Sequence, residues 1–227
     1  MSSRGSCGIE FRATRKTYGA ETHRKQHCVS TLALHSDGGG PVAIGTNSLP
    51  RWTAPDGRWT EPDLHLFPQD GHRYEIVDGS LHVTPPLDGP HEAIVQAVLV
   101  ALRGAAPRGW WVCARLGVEA GASSLVPDVT VLRPHSSGAI WADPADVACV
   151  IEVEADTSRR YDRLLKPTLY ADAGIPAYWR IEPEPVPVLH TYVLGPDGYL
   201  PLQTVQGADP VQVDAPFPVR VAPSAWL

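Results

Sequence analysis

Apolar and polar positions are sorted unevenly along this chain. Over the first fifty residues they follow no helical or strand period, and a glycine run occupies Gly38–Gly40. From about Trp52 onward the pattern organises. Arg73–Val77 and Leu81–Thr84 are β-prone runs separated by Asp78-Gly79, the signature of a tight hairpin. Between His91 and Ala105, the residues Ile94, Val95, Val98, Leu99 and Leu102 recur at helical spacing and predict an amphipathic helix. Trp110–Glu119 and Val126–Leu132 predict strands on either side of a turn-rich stretch at Ala120–Ser124. The run VACVIEV at Val147–Val153 has the nearly continuous apolar character of a central strand buried on both faces. Ser158–Gly174 predicts a helix stopped by Gly174 and Pro176, with Pro167 forcing a kink or a new first turn because it has no N–H to donate. Ala177–Ile181, Val188–Leu194, Tyr199–Val205 and Pro218–Val221 predict further strands, two of them joined across the Gly-Pro-Asp-Gly turn at 195–198.

The sum is a mixed α/β domain over about residues 55–227, with a central sheet, two main helices and additional C-terminal strands. Residues 1–50 are expected to be a poorly ordered extension. Their His23, His27 and Cys28 have helix-like spacing, but no second ligand pair follows, so a metal site is not expected there.

Composition narrows the function. The chain has 227 residues, 43% hydrophobic and 19% charged, which suits a folded core. No apolar stretch is long enough to span a bilayer as a helix, and the N-terminal residues lack the apolar centre of a signal peptide. A cytoplasmic protein with no membrane association is expected. Cys7, Cys28, Cys113 and Cys149 form no CxxC pair, so free thiols are expected. Residues 1–50 carry six basic and three acidic side chains, and the remaining 177 carry 13 and 22. The net charge of −6 argues against tight binding to nucleic acid by phosphate neutralisation alone. Dinucleotide, P-loop and serine-hydrolase motifs are absent from the sequence.

The chemistry concentrates between Val126 and Arg180. Pro127-Asp128 heads one predicted strand, Glu152 interrupts the apolar run of another, and Lys166 lies on the helix that follows. Burying an unpaired carboxylate costs several kcal/mol, so Glu152 must be paired, protonated or bound to a cation. Asp128 and Glu152 on adjacent strands are suited to ligating a hard divalent ion such as Mg²⁺, with Lys166 supplying an ammonium near a reacting phosphate. The structural alternatives are a Glu152 paired with Arg159 or Arg160, an Asp128 that caps a turn, and a Lys166 in an i,i+4 salt bridge with Asp162.

The order Pro-Asp, a strand with Glu, then Lys resembles the PD-(D/E)XK nuclease superfamily with its restriction-endonuclease-like fold. More narrowly, YEIVDGSL (74–81), PHEAIV (90–95), VPDVTVL (126–132) and the run from Val150 to Glu182 are similar to the Uma-two family of bacterial restriction endonucleases. The resemblance covers roughly residues 58–227. It implies a central mixed β-sheet flanked by helices, with Asp128 and Glu152 as metal ligands, Lys166 as the catalytic lysine and Glu75 as an additional acid. His91 is an accessory candidate, its alternative role being a helix-end bond to backbone. The family draws its lysine from the helix, because the position two residues after the acid is Glu154 here. Glu154 departs from an apolar family position, and strand alternation turns it toward the same side as Glu152. Ala155-Asp156 replaces a Ser-Pro that the family often shows.

The implied activity is hydrolysis of DNA phosphodiesters by a Mg²⁺-dependent endonuclease, with Mn²⁺ as a substitute. Arg159, Arg160 and Arg163 are the candidate phosphate contacts, binding to DNA is expected to be weak and salt-sensitive, and a homodimer is expected. Two alternatives stand beside this reading. One is an inactive scaffold or binding module on the same fold, and the other is a metal-dependent hydrolase of a small phosphodiester.

Overall fold

In the computed structural model, which describes residues 52–54, 56–155 and 161–227, the Asp78-Gly79 turn joins β1 (Arg73–Val77) to β2 (Ser80–Thr84). Both turn residues have positive φ, 45° and 78°, as a two-residue hairpin turn compatible with strand twist requires. α1 (Gly89–Ala105) begins at Asp88, whose carboxylate accepts from the His91 amide. That bond satisfies one orphan donor of the first turn. The expected apolar stripe is buried, and His91 is buried with it.

The continuous strand expected over Trp110–Glu119 is instead two: β3 (Trp111–Ala114) and β4 (Gly117–Ala120). Arg115 breaks it with a φ of +50°, which redirects the chain into a different sheet. β5 (Ser123–Leu125), β6 (Val129–Leu132), β7 (Trp141–Ala142) and β8 (Val147–Val153) follow. A π-helical turn at Tyr161–Leu165 leads into α2 (Lys166–Asp172). Pro167 sits in the first turn of α2, where a missing N–H costs nothing, and Gly174, at φ +77°, closes the helix end. β9 (Ala177–Glu182), β10 (Val188–Gly195), β11 (Gly198–Val205), β12 (Val211–Val213) and β13 (Val219–Val221) complete the fold.

A six-stranded mixed sheet runs in the order β11-β10-β9-β8-β6-β3, and only its β8–β9 pair is parallel. α2 provides the connection that a parallel pair needs. A five-stranded sheet, β2-β1-β5-β4-β7, and the β12–β13 ribbon accompany it, where the hydrophobic pattern had led to one central sheet. Ile94, Val98 and Leu102 of α1 pack with Val129, Ile151, Trp179 and Ile181 on one face of the six-stranded sheet, together with Val213 and Val219 of the ribbon. The opposite face carries Val150 and Tyr178 against Tyr170 of α2 and against Val77, Val118 and Leu125 of the five-stranded sheet.

Alternation along β8 sends Cys149, Ile151 and Val153 to the α1 side and Val150 and Glu152 to the other. The carboxylate of Glu152 therefore points toward α2. No helix among the described residues is long and apolar enough to cross a membrane. Cys113 and Cys149 are free thiols. Residues 1–50, including His23, His27 and Cys28, lie outside the described residues.

Candidate active site

Three carboxylates and two cations meet where the two larger sheets face each other. Val129 pairs with Ile151, so Asp128, one residue before β6, falls level with Glu152 on β8. Glu75 comes from β1 of the other sheet, and Lys166 from the first residue of α2. All four are almost completely shielded from solvent, Lys166 and Glu152 at 0% and Glu75 and Asp128 at 1% exposure.

Lys166 Nζ lies 3.0 Å from Glu152 Oε1 and 3.1 Å from Glu75 Oε1. Tyr170, one turn further along α2, donates its hydroxyl to the same Glu152 oxygen at 2.7 Å. The i,i+4 spacing places both donors on one helix face. Glu75 Oε1 also accepts from the Val126 amide at 2.8 Å. Arg73, two residues before Glu75 on the same face of β1, donates from Nη1 to Asp128 Oδ1 at 2.8 Å, and its Nε lies 3.6 Å from Glu75 Oε2. Asp128 Oδ2 accepts from the Val153 amide at 2.8 Å and lies 3.3 Å from His91 Nε2. His91 Nε2 is also 3.0 Å from the Val153 carbonyl. Facing two acceptors, that nitrogen carries the ring proton.

These contacts set the charges. Burial pushes the Asp128 carboxyl up, but Arg73, His91 and the Val153 amide overcome it and hold the group well below the usual carboxylate range. Glu75 behaves alike: burial raises it, and the charges of Lys166 and Arg73 bring it below its ordinary value. For His91, burial opposes the charge and the bond to Asp128 outweighs that, so the imidazole is shifted upward. Burial and the neighbouring Glu152 push the Tyr170 phenol far above its usual value, which keeps it a neutral donor.

The structure thus brings Lys166, Glu152 and Glu75 into direct contact and links Asp128 and His91 to them through Arg73. His91 bonds backbone, as its structural alternative held, and reaches Asp128 as well. Glu154 does share a side with Glu152, yet it is engaged elsewhere. Arg163 donates to its two oxygens at 2.6 and 2.8 Å, and Arg180 also pairs with it. Arg163 additionally lies 3.0 Å from Glu182. Arg159, Arg160 and the side chain of Asp162 lie outside the described residues. Arg73 and Tyr170 were not singled out from the sequence. Their signals were there: Arg73 is two positions from Glu75 on a strand, and Tyr170 four from Lys166 on a helix.

A model of the Uma2 family, described as "putative restriction endonuclease", matches residues 31–224. The chain belongs to the Uma2 family. No curated protein matches it significantly. Among solved structures, this Uma2 chain is similar to a "putative nuclease belonging to DUF820" from Anabaena variabilis ATCC 29413, with 18% identity and a TM-score of 0.53. The match covers 68% of this chain and 89% of that one. The fold is accordingly restriction-endonuclease-like, a mixed α/β architecture.

The chemistry of this Uma2 site suits a divalent ion in one respect. Glu75, Asp128 and Glu152 are buried hard oxygen donors, the ligand type that Mg²⁺ takes. Here Lys166 and Arg73 supply the neutralising charge. Among the described residues, no three His, Cys, Asp or Glu side chains are grouped so as to hold a metal ion.

Proposed function

We propose that this Uma2 protein is a metal-dependent endonuclease that hydrolyses DNA phosphodiester bonds, with the chemistry centred on Lys166. The observation that carries the reading is the buried ammonium of Lys166 held between Glu75 and Glu152, with Asp128 tied to the same cluster. Asp128 and Glu152 are the residues that would hold Mg²⁺ or Mn²⁺. A bound ion of this kind polarises a phosphoryl oxygen and lowers the pKa of coordinated water.

The rest falls to the protein. Lys166 positions the attacking water and offers positive charge to the phosphorane as it forms. Glu75 fixes the ammonium, and Tyr170 fixes the orientation of Glu152. The Val153 amide and His91 hold Asp128 in its rotamer. Arg163 faces Glu154 and Glu182, a pairing that competes with any contact to phosphate; Arg159 and Arg160 are further candidates for gripping the backbone. Cleavage of both strands calls for two such sites, which makes a homodimer part of the proposal.

Plasmid nicking in Mg²⁺ or Mn²⁺ tests this directly. Lys166→Ala is expected to lower the rate by at least about a hundredfold, the scale on which one positioned charge or proton-transfer group acts. Equal nicking by wild type and Lys166→Ala would remove the lysine from the mechanism. The second reading, a non-catalytic scaffold, is favoured by one feature: each carboxylate of the cluster already has a cationic partner. Absence of cleavage of single-stranded, double-stranded and branched DNA by folded wild type would decide for it.

A further inference from the structure

The carboxylate cluster is buried, but its partner Arg73 also lines an open groove of ≈ 480 Å³. Arg115, Trp141, Ile140, Phe67 and Tyr74 line this groove as well. Three features set it apart from incidental surface.

The Arg115 backbone is left-handed, at φ +50°, an arrangement that costs a non-glycine residue free energy and is held here by its amide bond to the Asp128 carbonyl. That conformation ties the position of Arg115 to the residue at the heart of the cluster. Next, the Trp141 ring lies directly over Gly117: a Cβ there would stand 2.2 Å from the ring, so only glycine allows it to lie so close. Last, Phe67 and Tyr74 are stacked, with centroids 4.7 Å apart and planes 10° from parallel. Ile140, which also lines the groove, is 73% exposed.

An aromatic side chain beside guanidinium groups is an element of a single-strand binding surface: bases stack on the ring while arginines follow the phosphates. The volume lies within the roughly 300–1,000 Å³ of pockets that take small organic ligands, enough for a nucleotide-sized segment and too little for a duplex. We infer that this groove binds a single-stranded segment of DNA, with a base against Trp141 and the adjoining phosphates directed to Arg115 and Arg73. The inference rests on the nuclease reading for the identity of the substrate. It goes further by naming the strandedness of what enters and the residues that receive it. Arg115 is paired with Glu92, and Arg73 with Asp128, so affinity is expected to be modest.

The test is fluorescence anisotropy of a fluorescein-labelled oligothymidylate titrated with the full chain in EDTA, where cleavage does not intervene. Wild type is expected to bind, Trp141→Ala to weaken binding about tenfold, and Trp141→Phe to retain most of it. Arg115→Ala, at a half-exposed side chain, is expected to weaken binding without loss of fold, checked by thermal melting. Unlabelled single strand should displace the probe more effectively than a duplex of the same sequence. Wild-type affinity in both Trp141→Ala and Arg115→Ala, or equal displacement by duplex, would overturn the inference, as would absence of binding by wild type. Groove-dependent binding without cleavage in Mg²⁺ would instead overturn the nuclease reading and leave the groove assignment standing. Cleavage without groove-dependent binding would do the reverse.

Discussion

Burial alone would favour the protonated form of Asp128, yet Arg73, His91 and the Val153 amide hold it charged and well below the usual carboxylate range. Such a group stabilises the fold fully above its unfolded value of about 3.9, and the contribution is lost as pH falls toward the lower folded value. Asp128→Asn is therefore expected to be less stable than wild type near neutral pH and to lose less on acidification below about pH 4. Urea denaturation in EDTA at both conditions measures this, and identical acid sensitivity in the two proteins would show that Asp128 is not the group responsible. The same logic explains Arg73. Removing one partner from a buried charge pair leaves the other uncompensated, at a cost of about 3–5 kcal/mol, so a carboxylate cluster this deep demands a cation from within the chain.

Two helix starts place the chemistry. α1 is fixed at its N-terminus by the Asp88 cap, and His91, whose amide receives that cap, carries the ring that reaches Asp128. Asp88→Ala is expected to cost about 1 kcal/mol of stability, the usual value of an N-cap. The NMR signature of the His91 ring should change with it, since its amide is released. An unchanged melt and an unchanged His91 signal would separate the cap from the site. α2 begins with Lys166 itself, preceded by the π turn at Tyr161–Leu165. π-helical turns are rare and recur at functional sites. This one leads directly into α2, which puts Lys166 and Tyr170 on the face that meets Glu152.

For the molecule as a whole, the net charge of −6 works against a polyanionic partner. Local arginines have to overcome that field. Two groove arginines neutralising phosphates of a single strand predict a slope of about −1.4 for log affinity against log salt. A salt titration of the oligothymidylate complex checks this, and a slope steeper than about −4 would point to phosphate contacts well outside the groove. The sequence by itself determined most of the elements, because the hairpin, the α1 stripe and the buried strand around Glu152 are local patterns enforced by turn chemistry and side-chain period. It also singled out Asp128, Glu152, Glu75, His91 and Lys166, because a charge inside an apolar run needs an explanation and the spaced motifs of the family supplied one. Only the tertiary structure decided which charges meet. Arg73 reaches Asp128 across 55 positions of chain, and Lys166 at the start of α2 meets Glu75 on β1, contacts with no local period to betray them. Nor could Glu154 be assigned from alternation alone. Its side of the sheet follows from the pleat, but its partners Arg163 and Arg180 arrive from a π turn and a parallel neighbour strand, whose register is set by packing over the whole domain.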